Sequence, residues 1–133
     1  MGKTIEVTFP GGKKVDAKVG TWTVNTDQSE RHGGGETAPE PFQLFLASLA
    51  TCSGIFALEF CTTRKIPTEG LGVTLHAERD PEQKRYTRMT TELRLPDGFP
   101  EKYEKAIKRA VDLCSVKKHI LDPPEFTITT TMS

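Results

Sequence analysis

The chain lacks an excess of charge of either sign, and its N-terminus lacks an apolar leader. Its 133 residues carry 18 Lys plus Arg and 18 Asp plus Glu, so the formal net charge is zero. No run of like charge provides the basic patch of a nucleic-acid-binding protein. The first residues contain no apolar stretch of the kind that a signal peptide needs. We therefore expect a cytoplasmic protein with no nucleic-acid partner and no membrane partner.

Cysteine is also scarce, and its spacing argues against the common structural uses. The three cysteines, Cys52, Cys61 and Cys114, form no CxxC pair and no zinc-type cluster. A few cysteines without a secretory signal are typical of a reducing compartment rather than of a disulfide scaffold. We accordingly expect no metal and no cofactor.

One apolar segment, residues 42–63, could be mistaken for a membrane span. It carries Gln43, Ser48 and Glu59, which favour a buried core helix of a soluble protein. The start of this helix fits two positions. Thr37 and Glu40 have the spacing of a capping box, and Pro41 suits a first helical turn.

Alternating apolar residues predict strands on both sides of that helix. A hairpin flanks the turn at residues 10–12, a third strand follows, and a second hairpin spans residues 71–95. A second helix is expected to open at Pro100, and residues 126–132 alternate as a last strand. The order βββαββαβ is an α+β pattern in which two helices share a mostly antiparallel sheet. We expect one domain, residues 1–133.

Cys52 and Cys114 are expected on the core-facing sides of the two predicted helices. A free cysteine usually behaves as a small hydrophobic residue, which is the simpler interpretation of both. Since packed helices lie about 8–10 Å apart, two facing thiols could also meet. From the residues alone, packing and redox chemistry both stay open.

A reactive thiol needs a lowered pKa, and burial in the middle of a helix acts in the opposite direction. A cation should therefore lie near Cys52 if that thiol reacts. Arg31 and His32, in the glycine-rich loop before the helix, are the nearest candidates in sequence, and Lys117 and Lys118 follow Cys114. Glu40 could orient an arginine. A solvated surface charge for Arg31 and a helix cap for Glu40 are the alternatives.

Each of these two cysteines belongs to a longer motif. The first motif is Pro41-x-x-Leu44-Phe45-x-Ala47-x-x-Ala50-x-Cys52, and the second is Cys114-Ser115-Val116-x-x-x-Ile120. They resemble the two cysteine motifs of the OsmC/Ohr superfamily, which comprises osmotically inducible protein C and the organic hydroperoxide resistance proteins. The order of the predicted elements fits as well, so the resemblance covers nearly the whole chain.

The resemblance implies an intertwined homodimer and the thiol-dependent reduction of small hydrophobic organic hydroperoxides, a peroxidase activity of the oxidative stress response. It gives the Cys52 thiolate the attack on the peroxide and the formation of a sulfenic acid. It gives Cys114 the condensation to a disulfide, which an external dithiol reductant would reopen.

The chain departs from the family pattern where charge is expected. Phe42 stands where active members have a glutamate that holds an arginine toward the thiolate. Ser115 and Lys117 stand where the second motif has proline and serine. Two alternatives on the same fold therefore stay open, a non-catalytic binder of a hydrophobic ligand and a redox sensor.

Overall fold

The computed structural model describes residues 2–132, which form two compact units that divide after Ala47, inside the longest helix. The first unit contains three strands and the start of that helix. The second contains the rest of the helix, two strands and two short helices. In chain order the elements are β1 Glu6–Gly11, β2 Lys14–Val19, β3 Trp22–Thr26, α1 Pro41–Thr63, β4 Gly72–Asp80, β5 Arg85–Arg94, α2 Glu104–Val111 and α3 Ser115–Leu121.

The first unit contains an antiparallel sheet with the order β1-β2-β3. Val7 pairs with Ala17, and Ala17 pairs with Val24, so apolar residues share one face as the alternation predicts. Gly12 has a φ of 57°, which is the left-handed conformation that the tight turn requires. The predicted hairpin and third strand are confirmed.

A buried carboxylate organises the loop that follows β3. Asp27 is 1% exposed. It accepts hydrogen bonds from the Thr37 hydroxyl (2.6 Å), the Thr37 N–H (3.0 Å) and the Gln28 N–H (2.8 Å). These donors, the Thr37 hydroxyl first, lower the pKa of Asp27 from its ordinary value of 3.8 to about 2. The polar loop is therefore fixed by an ionised side chain.

Helix α1 begins at Pro41, the second of the two starts that the sequence allows. The Glu40 N–H, directly before the helix, donates to the side-chain oxygen of Gln43 at 2.9 Å, which is one of the two hydrogen bonds of a capping box. The expected capping box of Thr37 and Glu40 is wrong, because the Thr37 hydroxyl bonds Asp27 instead.

Helix α1 is long and apolar enough, by length and composition alone, to cross a membrane. A core helix of a soluble protein passes the same test. Ala57, Phe60 and Cys61 of α1 are buried in the core of the second unit, together with Ile107 and Val111 of α2. We interpret α1 as a core helix, as the sequence predicts.

The second unit contains the predicted hairpin of β4 and β5, paired antiparallel from Gly72 with Arg94 to Asp80 with Arg85. The helical segment that follows departs from the prediction, because it is divided. Helix α2 ends at Val111, and Cys114 adopts an extended conformation (φ −48°, ψ 123°) as the capping residue of α3. Cys114 is thus a residue between two helices, and α3 is an element that the periodicity missed.

The predicted last strand is not formed within the part of the chain that the structure describes. Residues 123–132 form no strand there, and Phe126, Ile128 and Met132 are 86%, 94% and 96% exposed. A strand needs a neighbouring strand for its backbone hydrogen bonds, and this segment pairs with none among residues 2–132. The α+β class and the antiparallel pairing are confirmed.

The low pKa of Asp27 predicts an acid-sensitive loop. A carboxylate whose pKa is depressed by folding stabilises the fold fully above its ordinary pKa, and this contribution disappears as the pH falls through about 2. We expect Asp27→Asn to lower the free energy of unfolding at pH 6, and this difference to shrink as the pH falls below 3.8. Denaturant titrations at several pH values measure it. Asp97→Asn, at an exposed position, is the control, and an equal loss at every pH would contradict the assignment.

The core of the second unit predicts a large cost for truncating Ile107, whose exposure is 0%. Ile107→Ala removes buried methyl groups and leaves a cavity, so we expect a loss of about 2–5 kcal/mol in the free energy of unfolding. Lys105→Ala, on the exposed side of α2, should change it by less than about 0.5 kcal/mol. Chemical denaturation of both variants tests this, and equal effects would contradict the assigned core.

Candidate active site

The second unit brings Cys52 and Cys114 together, although 62 positions separate them in the sequence. Cys52 is half-buried in the middle of α1, and Cys114 is 2% exposed at the start of α3. Both are free thiols, and the Cys114 side chain lies near enough to Cys52 to lower the pKa of its thiol. The fold therefore places the two thiols at one site.

The beginning of α3 supplies further donors to the sulfur of Cys52. The hydroxyl oxygen of Ser115 lies 3.7 Å from the Cys52 sulfur, within hydrogen-bond distance for sulfur. The backbone N–H groups of Ser115 and Val116 also act to lower the pKa of this thiol. Such N–H groups in a first helical turn have no acceptor inside their own helix and are available to an outside partner.

These contacts set the protonation of Cys52. Burial by itself raises the pKa of its thiol, because it disfavours the charged form. Hydrogen bonds from Cys114, from the Val116 N–H and from both donors of Ser115 act in the opposite direction and outweigh burial. The pKa of the Cys52 thiol therefore lies below its usual value, so this thiol ionises more readily than a free one.

The pKa of the Cys114 thiol is shifted in the opposite direction. Burial raises the pKa of its thiol, and its hydrogen bond to Cys52 raises it further. Cys114 is therefore the harder of the two thiols to ionise, and Cys52 is the easier.

Cys61 does not belong to this pair. It is fully buried in the core cluster with Ala57 and Phe60, as its position nine residues after Cys52 predicts. Burial raises the pKa of its thiol, although Arg64 acts in the opposite direction. Its surroundings identify Cys61 as a packing residue.

Arg31 and Glu40 lie in the first unit, where Glu40 has other partners. Its carboxylate contacts the His32 ring nitrogen Nδ1 at 2.7 Å and accepts from the Ser29 N–H at 3.3 Å. The His32 contact is the largest cause of a lowered pKa for Glu40. Arg31 lies in an exposed helical turn, and among residues 2–132 no ion pair joins it to a carboxylate. Their participation at Cys52 stays a prediction.

The charged residues after Cys114 are engaged locally. Lys117 forms an ion pair with Asp112. The ring nitrogen Nδ1 of His119 lies 2.6 Å from the carbonyl oxygen of Ser115, one turn earlier in α3. Neither side chain is among the groups that lower the pKa of Cys52.

The second unit also contains a cavity of about 350 Å³, and Ser53, the neighbour of Cys52 in α1, is part of its lining. Apolar side chains of β5 and α2 form part of its wall. Charged residues of α2 and α3 line the rest. The lining includes Met89, Leu93, Ile107, Val111, Lys108 and Lys117. Such a lining suits a small molecule with an apolar body and a polar end.

Sequence reasoning found both thiols of this site and missed its donors. It looked for a nearby cation, and it did not consider the uncharged groups of Ser115, Val116 and Cys114 that lower the pKa of Cys52. The available signal was Ser115 itself, because its hydroxyl group directly follows Cys114 in the sequence.

Comparisons with known proteins agree with the fold. The family model described as OsmC-like protein matches residues 33–129. A Psychrobacter arcticus 273-4 protein, provisionally named an osmotic stress induced and detoxification response protein, superposes with a TM-score of 0.74 at 20% identity, over 89% of this chain and 88% of that one. No curated protein matches the chain significantly.

Two further solved structures have the same fold. An OsmC-like protein from Mycoplasma pneumoniae gives a TM-score of 0.72 at 13% identity, covering 92% of this chain and 89% of its own. The organic hydroperoxide resistance protein OhrB of Bacillus subtilis gives 0.53 at 17% identity, covering 90% of each chain. At these identities the likeness shows the fold alone, whereas the family model covers both cysteines. The chain therefore belongs to the OsmC-like protein family.

Proposed function

We propose that this protein reduces organic hydroperoxides through a cycle of Cys52 and Cys114. The observation that carries the proposal is that Cys52, whose thiol has a lowered pKa, lies beside Cys114, whose thiol has a raised pKa. Attack on a peroxide requires a thiolate, and resolution of the product requires a neighbouring thiol. The pair is suited to both roles.

The proposed cycle has three balanced steps. The Cys52 thiolate attacks the outer oxygen of ROOH, so the O–O bond breaks, Cys52 becomes a sulfenic acid, and the alkoxide leaves and is protonated to ROH. The Cys114 sulfur then attacks the sulfenic sulfur, and a disulfide and one water molecule form. An external dithiol reduces that disulfide to two thiols and is itself oxidised.

Two kinds of support favour this chemistry over simple packing. The hydrogen bonds around Cys52 offset the effect of burial on its pKa, which a packing thiol such as Cys61 does not show. Proteins of the same fold from Legionella pneumophila and Bacillus subtilis carry the name organic hydroperoxide resistance protein. A cytoplasmic location, where dithiol reductants are present, is part of the proposal.

The cavity beside Ser53 favours one alternative, the binding of a hydrophobic ligand without catalysis. For a binder, Cys52 would be one more buried thiol with a raised pKa. The lowered pKa of Cys52 argues for the peroxidase, in which the cavity would hold the organic part of the peroxide.

The peroxidase proposal predicts a specific product. Reduced protein treated with one equivalent of cumene hydroperoxide should form the Cys52–Cys114 disulfide, and dithiothreitol should reverse it. Peptide mass spectrometry and the release of cumyl alcohol measure the two products. Cys61→Ser is the matched control and should turn over normally, because Cys61 lies in the core away from the pair.

The variants of the pair separate the two roles. Cys52→Ser should lose turnover altogether, and Cys114→Ser should complete a single reduction and stop at a sulfenic acid that dimedone traps. Full activity in Cys52→Ser, or no disulfide in the wild type, would contradict the proposal.

We also propose that the protein is a homodimer, as the family resemblance implies. Residues 126–132 keep the alternation of a strand, yet their apolar side chains Phe126, Ile128 and Met132 are almost fully exposed. A second copy of the chain would provide the strand edge that this segment lacks among residues 2–132. Pairing between copies would bury these side chains and satisfy the backbone.

The dimer proposal predicts a mass of twice the 14.7 kDa of one chain by light scattering after size exclusion. The double change Phe126→Ser with Ile128→Ser removes the apolar face of the segment and should shift the protein toward the monomer. Thr127→Ser with Thr129→Ser, on the other face, should leave it dimeric. A monomeric wild type would contradict the proposal.

A further inference from the structure

We infer that Ser115 holds the reacting sulfur of Cys52 through its hydroxyl and its backbone N–H. The inference rests on the proposed peroxidase function, in which Cys52 is the attacking thiolate. Ser115 would be a positioning residue that keeps this sulfur ionised and aligned, and it has no assigned role in the family pattern, which has proline at this place.

The contact geometry supports two donors from one residue. The Ser115 hydroxyl lies 3.7 Å from the Cys52 sulfur, and its proton can rotate toward a thiolate. The Ser115 N–H belongs to the first residue of α3 and also acts to lower the pKa of the Cys52 thiol. Because a hydrogen bond to an anion is stronger than one to a neutral group, both contacts favour the thiolate.

The charged and titratable side chains that follow Cys114 in α3 have partners other than the Cys52 sulfur. Lys117 is paired with Asp112, and His119 contacts the carbonyl oxygen of Ser115 rather than the sulfur. The groups that lower the pKa of Cys52 are the Cys114 thiol, the Val116 N–H and the two donors of Ser115. Of these, the Ser115 hydroxyl is the side chain that can be removed without touching the redox pair.

The backbone at this point permits a sharp test. Proline has no N–H and no hydroxyl, so it would remove both donors at once. It is well tolerated at the first position of a helix, and the residue before it prefers ψ near 120–160°. Ser115 is the first residue of α3, and Cys114 has a ψ of 123°. Ser115→Pro should therefore keep the local backbone conformation and remove both the hydroxyl and the N–H donor.

The test compares wild type with Ser115→Ala, Ser115→Thr and Ser115→Pro as full chains in the reduced state. Alkylation by iodoacetamide from pH 5 to 10 is followed at each cysteine by peptide mass spectrometry. Cys61 is an internal control in every digest, because it lies in the core away from Ser115. Cys114, His119, Lys117 and Asp112 also face this region, and they are identical in all four proteins.

We expect the midpoint of the Cys52 profile to rise from wild type to Ala to Pro, and the Thr variant to match wild type. A rise of about one pH unit would cut the thiolate fraction about tenfold at pH 7, while the higher intrinsic nucleophilicity of the remaining thiolate would restore about threefold. The net expectation for Ser115→Ala is an alkylation rate about threefold lower at pH 7, with a larger loss for Ser115→Pro.

Equal midpoints in wild type, Ala and Pro would overturn the inference. If the Pro variant does not fold, the Ala and Thr variants decide alone, and a midpoint raised equally in both would also count against the hydroxyl. The readout uses no peroxide, so it is separate from the proposed function. An inactive protein whose Cys52 midpoint depends on Ser115 would contradict only the peroxidase, and an active peroxidase with unchanged midpoints would contradict only the role of Ser115.

Discussion

The hydrogen bonding of one partly buried sulfur is the interaction on which the chemistry of this chain depends. A thiol inside an apolar helix should resist ionisation, because burial disfavours the charged form. Cys52 has that burial, and the bonds from α3 and from Cys114 outweigh it. Uncharged donors can do this only where they are held close to the sulfur. The break between α2 and α3 meets that requirement, because it turns the Ser115 and Val116 N–H groups and the Ser115 hydroxyl toward α1.

The core of the second unit fixes this arrangement. Ile107 and Val111 of α2 pack against Ala57 and Phe60 of α1, on the turns that follow Cys52 in the same helix. This packing holds α2 against α1, and the chain that leaves α2 reaches Cys114 three residues after Val111. The extended backbone of Cys114 then starts α3 in a new direction. Core packing, a helix end and a capping residue thus position both thiols with no contribution from metal ligands or a disulfide.

Much of this could be predicted from the sequence, and the failures have identifiable physical causes. Period-two alternation predicted the hairpins and the third strand, because side-chain direction along a strand depends on local geometry. The same alternation at residues 126–132 predicted a strand that has no partner among residues 2–132, since pairing depends on a distant strand edge.

Apolar spacing joined α2 to Cys114 in one helix, because periodicity does not register a break of three residues. Asp27, Ser115 and the His32 contact of Glu40 were missed for a related reason, because each depends on a partner that only the folded loop provides.

The opposite pKa shifts of Cys52 and Cys114 also affect the last step of the proposed cycle, the reduction of the disulfide. In a Cys52–Cys114 disulfide the Cys52 sulfur would carry no charge, so the donors of Ser115 and Val116 would lose their anionic acceptor. Stabilising the reduced form in this way makes a disulfide easier to reduce. The contacts that prepare Cys52 for attack on a peroxide would therefore also favour its recovery by an external dithiol. A peroxidase must be reduced again after every turnover, whereas a redox sensor benefits from a disulfide that persists. The hydrogen bonds around Cys52 consequently favour turnover over storage of the oxidised state, which is an argument for the peroxidase that the motifs alone do not provide.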